Sequence, residues 1–371
     1  MNSILPTIGP LTSSEKNLRY ILKYTDTVRI NGSHNTLIWH KNLCDKIKRN
    51  YPNKKILLDL PGIKPRTNNS EDINIKKNNI IIFFFKKKPS KYINFLSIEL
   101  TNPIPKLNKI PNKLSISDGQ YDFVIKEITP NYIKVKSLQT FVLKPKKGVN
   151  IQNSIYDENK QINLYIDFLK KFKKVKFDAI GLSFVQSGEI INKIKKQFPK
   201  YIVIAKIENI IGVKNVNNIC KAADSIMIDR GDLSAEIGEI NLFKEIVNIS
   251  NKTKENGKPL IMATENLDSM LTKTRPTKSE IVSISHTLDL GADKIMLSDE
   301  TATSENWKYI YKWLYKFTDN NNKKLTNDKK ILSNNDIFWS LISNVNKIPF
   351  VVFTKKGFAL EKIFQISNSN N

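Results

Sequence analysis

Short apolar strands alternate with amphipathic helical segments eight times along this chain, and one long interruption follows the third strand. Alternation of this kind predicts a parallel sheet, because each helix carries the chain back to start the next strand in the same direction. Eight such units predict an α/β fold, a closed (β/α)8 barrel. The predicted strands are 4–10, 27–33, 55–62, 179–185, 201–209, 225–233, 259–267 and 294–302.

The interruption has a different pattern. Residues 80–85 read IIIFFF, a Ser-Asp-Gly turn follows at 117–119, and two later segments alternate with period two. These signals predict a small antiparallel β domain inserted into the barrel. The predicted domains are therefore the barrel at 1–66 and 149–318, the inserted β domain at 67–148, and a linker with a short α/β segment at 319–371.

Composition limits the class of protein. The chain has 371 residues and a formal net charge of +25, which can indicate nucleic-acid binding. Most of the excess is Lys spread over the whole chain, so we predict no nucleic-acid partner. No apolar run approaches the roughly 20 residues of a membrane helix, and residues 1–16 lack the pattern of a signal peptide. Cys44 and Cys220 match no metal-binding spacing, which favours a reducing, cytoplasmic location.

Most of the predicted barrel strands end in polar or charged residues. In a (β/α)8 barrel such residues face one common mouth. Two carboxylates beside a Lys and an Arg suit a divalent metal ion that bridges an anionic substrate, and the lack of a His or Cys cluster favours Mg²⁺ or Mn²⁺. Any single residue of this set could instead form a structural ion pair. The set is Arg29, Asn31, Ser33, His34, Asp59, Lys206, Glu208, Arg230, Asp232, Thr264, Glu265, Ser298, Asp299 and Glu300.

A series of short motifs runs along the predicted barrel: TIGP, VRINGSHN, LLDLPGIKPRT, KKGVN, SFV, AKIEN, RGDL, ATENLDSM, RPTKSE and MLSDETA. These motifs resemble those of the pyruvate kinase family. The resemblance keeps order and spacing from residue 7 to about 317, and the inserted β domain falls where that family carries its lid. It implies phosphoryl transfer from phosphoenolpyruvate to ADP, which gives pyruvate and ATP in glycolysis.

The resemblance also implies roles for single residues. Glu208 and Asp232 match the ligands of the divalent ion. Catalytic roles are implied for Lys206, Arg29, Thr264, Ser298 and Glu300. Substrate contacts are implied for Arg29, Lys206, Gly231, Asp232 and Thr264. Nucleotide contacts are implied for His34, Arg66 and Lys147, with Asp118 of the inserted domain as a further candidate.

A monovalent cation is a separate question. Asn31, Ser33 and Asp59 match the family's ligands for this ion. Lys64 stands where potassium-dependent members commonly carry Glu and potassium-independent members carry Lys. We therefore expect the ammonium of Lys64 to lie near those ligands and to make K⁺ dispensable.

Several positions depart from the family pattern and keep alternatives open. Asp229 stands where Ala is usual, beside the expected carboxylate cradle, and Glu265 and Asp299 replace Gln and Gly. Pro61, Ile63 and Pro65 alter the loop after the third strand. The alternatives are a metal-dependent aldolase or lyase acting on a 2-oxo acid, and a non-catalytic relic.

The last segment is short relative to the C-terminal domain of that family. We therefore expect a homo-oligomer that is a dimer rather than a tetramer.

Overall fold

The computed structural model describes residues 3–117 and 119–328. Eight parallel strands form the barrel, in the spatial order β1-β18-β17-β16-β15-β14-β3-β2. A parallel bridge between Thr7 and Arg29 joins the first strand to the second and closes the ring. The barrel strands are β1 (Ile4–Pro6), β2 (Thr27–Asn31), β3 (Lys55–Leu60), β14 (Ala179–Leu182), β15 (Ile202–Ile207), β16 (Ser225–Asp229), β17 (Leu260–Ala263) and β18 (Lys294–Leu297).

Apolar side chains fill the barrel interior. One buried cluster takes residues from seven of the strands, among them Leu5, Leu57, Ala179, Met227 and Met296. Alternate residues of each strand point to opposite faces, so the outward set packs against the helices. This packing fixes the strand ends, and with them the polar residues that follow.

Helices surround the barrel strands, with short helical turns at some of the loops. The α-helices are α1 (Glu15–Leu22), α2 (Leu37–Asn50), α3 (Glu158–Lys171), α4 (Gly188–Gln197), α5 (Ile210–Lys214), α6 (Val216–Ala222), α7 (Arg230–Ile237), α8 (Glu239–Glu255), α9 (Lys278–Asp289), α10 (Asp299–Ala302) and α11 (Trp307–Asp328). Two 3₁₀ turns cover Ser90–Tyr92 and Asp268–Leu271.

The inserted segment forms a six-stranded sheet in the order β12-β8-β9-β10-β5-β6, with two additional two-stranded sheets. Its pairs are antiparallel except for β5 with β6, which run parallel. The strands are β4 (Ile73–Ile75), β5 (Ile80–Phe84), β6 (Leu96–Glu99), β7 (Lys106–Leu107), β8 (Lys113–Ile116), β9 (Tyr121–Ile128), β10 (Tyr132–Ser137), β11 (Phe141–Leu143), β12 (Val149–Ile151) and β13 (Ser154–Ile155).

The IIIFFF run supplies part of the core of this sheet. Ile81 and Phe83 enter its main apolar cluster, whereas Ile82 packs on the other face with Tyr92 and Tyr132. The limits of the inserted domain, residues 67–148, stay a prediction. Strand β12 follows residue 148 and pairs with β8 of the inserted sheet.

The closing helix is longer than the sequence pattern predicts. Helix α11 continues to Asp328, through part of the segment expected to be a linker. The polar run has neither Gly nor Pro up to that point, so nothing in it ends a helix. The α/β segment predicted within 336–366 lies outside the described residues. Among the described helices, none has the length and hydropathy of a membrane span.

Candidate active site

Lys206 stands at the centre of the barrel mouth. It is a buried residue of β15, and its Nζ lies 2.7 Å from Glu208, 3.3 Å from Asp229 and 3.4 Å from Asp59. Burial opposes the charged ammonium, but the carboxylates of Asp59, Glu208 and Asp229 outweigh it and raise the pKa of Lys206 above its ordinary value. The side chain is therefore a fixed positive charge at neutral pH.

Arg29 forms a second cationic centre on β2. Its Nε donates to Asp59 at 2.9 Å, its Nη2 lies 2.8 Å from the same oxygen, and its Nη1 donates to Thr7 at 2.8 Å. Burial works against ionisation of Asp59, yet Lys206 and Arg29 lower its pKa. The guanidinium is consequently held in one orientation from two adjacent strands.

Asp232 lies in the first turn of α7, which follows β16 directly. A carboxylate is favoured there by the positive end of the helix dipole. Its Oδ1 forms an ion pair with the buried Lys64 and lies 3.4 Å from Nδ2 of Asn150, the last residue of KKGVN. Lys64 outweighs the effect of burial and lowers the pKa of Asp232.

The sequence predicted Lys64 near Asn31, Ser33 and Asp59, and the structure gives it Asp232 as an ion-pair partner. Its stem passes over Gly148, where a Cβ would lie 2.7 Å from Cε of Lys64. A glycine at this position therefore leaves room for the lysine. A role for Lys64 in place of a monovalent cation stays a prediction.

Glu208 is fully buried at the end of β15. Its Oε2 accepts a hydrogen bond of 2.5 Å from the amide of Phe184, a residue with a left-handed φ of 58°. Burial raises the pKa of Glu208 to about 8; Lys206 opposes this shift, and Asp229 and Asp232 reinforce it. Acids crowded in this way lose mutual repulsion when a cation binds between them.

Three of these acids meet at one point. Single oxygens of Glu208, Asp229 and Asp232 lie within 4.8 Å of one another. An all-oxygen, carboxylate-rich set suits a hard divalent cation, as the composition of the mouth predicted. The residues present therefore fit Mg²⁺ or Mn²⁺, and two of the three are the ligands expected from sequence.

Thr264 follows β17 in a constrained turn. Thr264 and Glu265 both have positive φ, 61° and 50°, a conformation that costs non-glycine residues of order 1–3 kcal/mol each. The guanidinium of Arg230 donates to the carbonyls of both residues and to Oδ1 of Asn266. The sequence reasoning placed Arg230 at the mouth but did not foresee this structural role.

The hydroxyl of Thr264 points back to β16 and α7. Its Oγ1 accepts from the amide of Gly231 at 3.0 Å and lies 3.0 Å from Oδ1 of Asp229. Asp229 therefore faces the mouth and does not turn away from it. Hydrogen bonds among Thr264, Gly231 and Asp229 therefore connect the ends of the neighbouring strands β16 and β17.

Ser298 and Glu300 stand at the end of β18. The amide of Ser298 donates to Oε2 of Glu300 at 2.6 Å. Glu300 is 2 % exposed, and burial raises its pKa to about 7. A carboxyl of this kind can exchange a proton near neutral pH, whereas the neighbouring Asp299 is exposed.

Of the residues predicted for nucleotide contact, Arg66 and Lys147 bring positive charge close to His34. The pKa of His34 is lowered, first by desolvation and then chiefly by the charge of Arg66, with Arg29 and Lys147 acting in the same direction and Asp299 against it. Arg66 and Gly148 form a bridge, and the amide of Lys147 donates to Thr67. Asp118 lies outside the described residues.

The three residues predicted for a monovalent cation are neighbours. Asn31 and Asp59 are register partners at the ends of β2 and β3, and Oδ1 of Asn31 accepts from the amide of Ser33 at 3.0 Å. Asp59 gives one carboxylate oxygen to Arg29, and within the described residues its buried Oδ1 has no hydrogen bond.

Sequence reasoning missed a buried pair beside the cluster. Glu236 is 1 % exposed and accepts a hydrogen bond of 2.8 Å from Tyr156, a residue that follows β13. Burial raises the pKa of Glu236 to about 8. Its spacing of one helical turn from Asp232 was the available signal, because residues four apart share a helix face.

Comparison with known proteins decides the family. The family described as "Pyruvate kinase, barrel domain" matches residues 1–308. This chain belongs to the pyruvate kinase family. Among curated proteins, the pyruvate kinases of Trypanoplasma borreli and Thermococcus litoralis are 30% and 32% identical to it. Pyruvate kinase 1 of Saccharomyces cerevisiae is 30% identical.

Each alignment covers 81% of this chain but only 62% to 65% of the relative. The chain thus spans less than two thirds of the length of these pyruvate kinases. The barrel and its acidic mouth both lie within the matched region.

Proposed function

We propose that this chain transfers a phosphoryl group from phosphoenolpyruvate to ADP, with Mg²⁺ or Mn²⁺ held by Glu208 and Asp232. The P–O bond to the enol oxygen breaks, a new bond forms to the β-phosphate of ADP, and the enolate takes a proton at carbon to give pyruvate. The bound ion supplies positive charge for the substrate's carboxylate and phosphate. We expect the reaction to take place in the cytoplasm, as a step of glycolysis.

The observation that carries the proposal is the arrangement around Lys206. Phosphoryl transfer needs little covalent help from a protein and depends on positioning and charge neutralisation. Arg29 is a buried cation held by Asp59 of the adjacent strand, and Lys206 is held by Glu208 and by Asp229 of the adjacent strand, so neither has to reorganise when charge moves between oxygens. Lys206 neutralises the negative charge of the phosphoryl group during its transfer, and Arg29 binds the oxygens of that group.

The remaining residues orient the substrate and supply the proton. The amides of Gly231 and Asp232 at the start of α7 are suited to an anionic carboxylate. Thr264 contacts the enolate side, and Glu300, whose pKa is raised to about 7 by burial, can exchange the proton. The positive charges of Arg66 and Lys147, with the imidazole of His34 as a hydrogen-bonding group, are suited to the phosphates of ADP.

Substitution of Asp232 tests this proposal. Asp232→Asn removes a ligand charge while keeping the shape, so pyruvate formation from phosphoenolpyruvate and ADP should fall by about 10²-fold or more at ordinary Mg²⁺. Asp122→Asn, the same change on the inserted sheet, is the matched control. A folded Asp232→Asn protein with near-normal turnover would remove Asp232 from the site.

A second candidate is a non-catalytic relic of the family, and one observation favours it. Asp229 brings a negative charge to the place where the family binds a substrate carboxylate, and it faces the mouth. In that case the wild-type protein would form no pyruvate at any concentration of Mg²⁺.

A further inference from the structure

Asp229 is the residue that most changes the character of this mouth. It ends β16, is 6 % exposed, and stands where the family pattern usually has Ala. One of its oxygens belongs to the acidic cluster with Glu208 and Asp232. The two expected ligands therefore have a third carboxylate beside them.

The contacts of Asp229 leave it pointed into the cluster. Its Oδ1 lies 3.0 Å from the Thr264 hydroxyl, and its Oδ2 lies 3.3 Å from Nζ of Lys206. Lys206 is closer to Glu208, at 2.7 Å, and also contacts Asp59. Asp229 thus shares one ammonium with two other acids.

The acids of the mouth outnumber the cations with which they form ion pairs. Among the described residues, four carboxylates of the mouth share three cations in these pairs. Oε1 of Glu208 is buried and has no hydrogen bond within the described residues, although it lies beside Lys206. The carboxylates are Asp59, Glu208, Asp229 and Asp232, and the cations are Arg29, Lys64 and Lys206.

We propose that Asp229 is a third carboxylate ligand of the divalent cation, so that the ion binds before any substrate does. This inference rests on the metal site of the proposed function. Affinity for hard cations rises with the number of anionic ligands in a site. In a two-carboxylate site, water or a substrate carboxylate completes the coordination; here the protein supplies that oxygen itself.

Thr264 acts as a positioning residue for this ligand. The guanidinium of Arg230 donates to the carbonyls of the left-handed turn at Thr264 and Glu265, and the hydroxyl of Thr264 donates to Asp229. The carboxylate is therefore oriented before the cation arrives. A preoriented ligand loses less conformational freedom when it binds the ion.

The first test is titration of the full chain with Mn²⁺ in the absence of phosphoenolpyruvate. Calorimetry or electron paramagnetic resonance measures the binding. Wild type should bind the ion, and Asp229→Ala and Asp229→Asn should each weaken binding by about tenfold or more. Glu208→Gln should weaken it similarly, and Asp122→Asn should leave it unchanged. Ala is the residue usual in the family at position 229, so that variant is expected to fold.

The second test separates a ligand from a nearby charge. Luminescence lifetimes of bound Eu³⁺ in H₂O and D₂O give the number of coordinated waters. Asp229→Ala should add about one coordinated water to the ion, because an oxygen ligand is lost. A lower affinity with an unchanged water number would mean that Asp229 acts only through its charge, and would overturn the inference.

Further outcomes distinguish this inference from the proposed function. If Glu208→Gln loses Mn²⁺ while Asp229→Ala binds it as wild type does, the metal site stands and the role of Asp229 is wrong. If wild type binds no Mn²⁺ at millimolar concentration alone but binds it with phosphoenolpyruvate present, the inference is wrong and the metal site of the proposed function stands. If it binds no Mn²⁺ in either condition, both are wrong.

Discussion

The ammonium of Lys64 contacts the carboxylate of Asp232, which we propose as a metal ligand. A lysine in this position brings its own charge into the mouth. Two cations 4 Å apart repel by about 4 kcal/mol at an effective dielectric constant of about 20. A monovalent cation bound close to Lys64 would meet this repulsion. We therefore expect K⁺ to be excluded from the mouth, or to be redundant there because Lys64 already supplies a positive charge.

Replacement of Lys64 by Glu tests that expectation. Wild type should be nearly as active in tetramethylammonium as in K⁺, whereas Lys64→Glu should lose activity without K⁺ and regain part of it with K⁺. Initial rates at saturating Mg²⁺ measure this, and Lys113→Glu on the inserted sheet repeats the charge change away from the mouth. A wild-type protein that requires K⁺, together with a variant that behaves the same, would show that Lys64 has no part in the effect.

The pairing of Lys64 marks the limit of prediction for single residues. Its position five residues after Asp59 was visible in the sequence, but its partner lies 168 residues away. Pro61 and Pro65 restrict the loop that carries it, and the residue before a proline is pushed from helical to extended backbone. A spacing argument cannot give the direction of a long side chain that leaves such a loop.

At the level of elements, helix α7 contributes to the acidic mouth and also contacts the segment that follows β13. Asp232 occupies its first turn, and Gly238, with a φ of 83°, follows its last residue. On the same helix Glu236 bonds Tyr156, which follows β13. Oε2 of Glu236 has no hydrogen bond within the described residues, so this acid is buried with incomplete compensation.

This burial predicts a pH-dependent stability. Burial raises the pKa of Glu236 from 4.5 to about 8, so between these values the folded state keeps a proton that the unfolded state releases. The free energy of unfolding should therefore fall as pH rises through this window, by up to about 1.4 kcal/mol per pH unit from this group. Glu236→Gln cannot ionise and should flatten the dependence, leaving the variant more stable than wild type at pH 8.

Urea unfolding at pH 5 and pH 8 measures the difference. Glu305→Gln, at an exposed position, should keep the wild-type dependence. A Glu236→Gln protein with an unchanged slope would mean that Glu236 is ionised in the folded state throughout the range.

Helices and strands were easiest to predict where a single periodicity of apolar residues dominated a segment. The eight barrel strands follow from alternating apolar and amphipathic segments, because a barrel strand buried on both faces reads as an apolar run. The parallel pairing of β5 with β6 was not predicted, since period two is the same for both directions. Helix α11 is longer than predicted, because a polar sequence alone does not end a helix.

For the whole molecule, the barrel explains why residues far apart in sequence share one site. Parallel strands put their carboxyl ends at one edge, so Arg29, Asp59, Lys206 and Asp229 meet although as many as 200 residues separate them. The predicted barrel therefore explains why strand-end residues are brought to one edge, whereas the roles of the single residues stay predictions. The internal pairing of the mouth depends on rotamers and on turns such as that of Thr264, which no periodicity reports.

The most direct test of the account is to follow phosphorus itself. In ³¹P nuclear magnetic resonance of the full chain with phosphoenolpyruvate, ADP and Mg²⁺, the phosphoenolpyruvate signal should decline while the ATP signals grow in equal amount, and Glu208→Gln should slow both together. Loss of phosphoenolpyruvate into inorganic phosphate, or no change in any signal at high protein concentration, would contradict the proposed transfer.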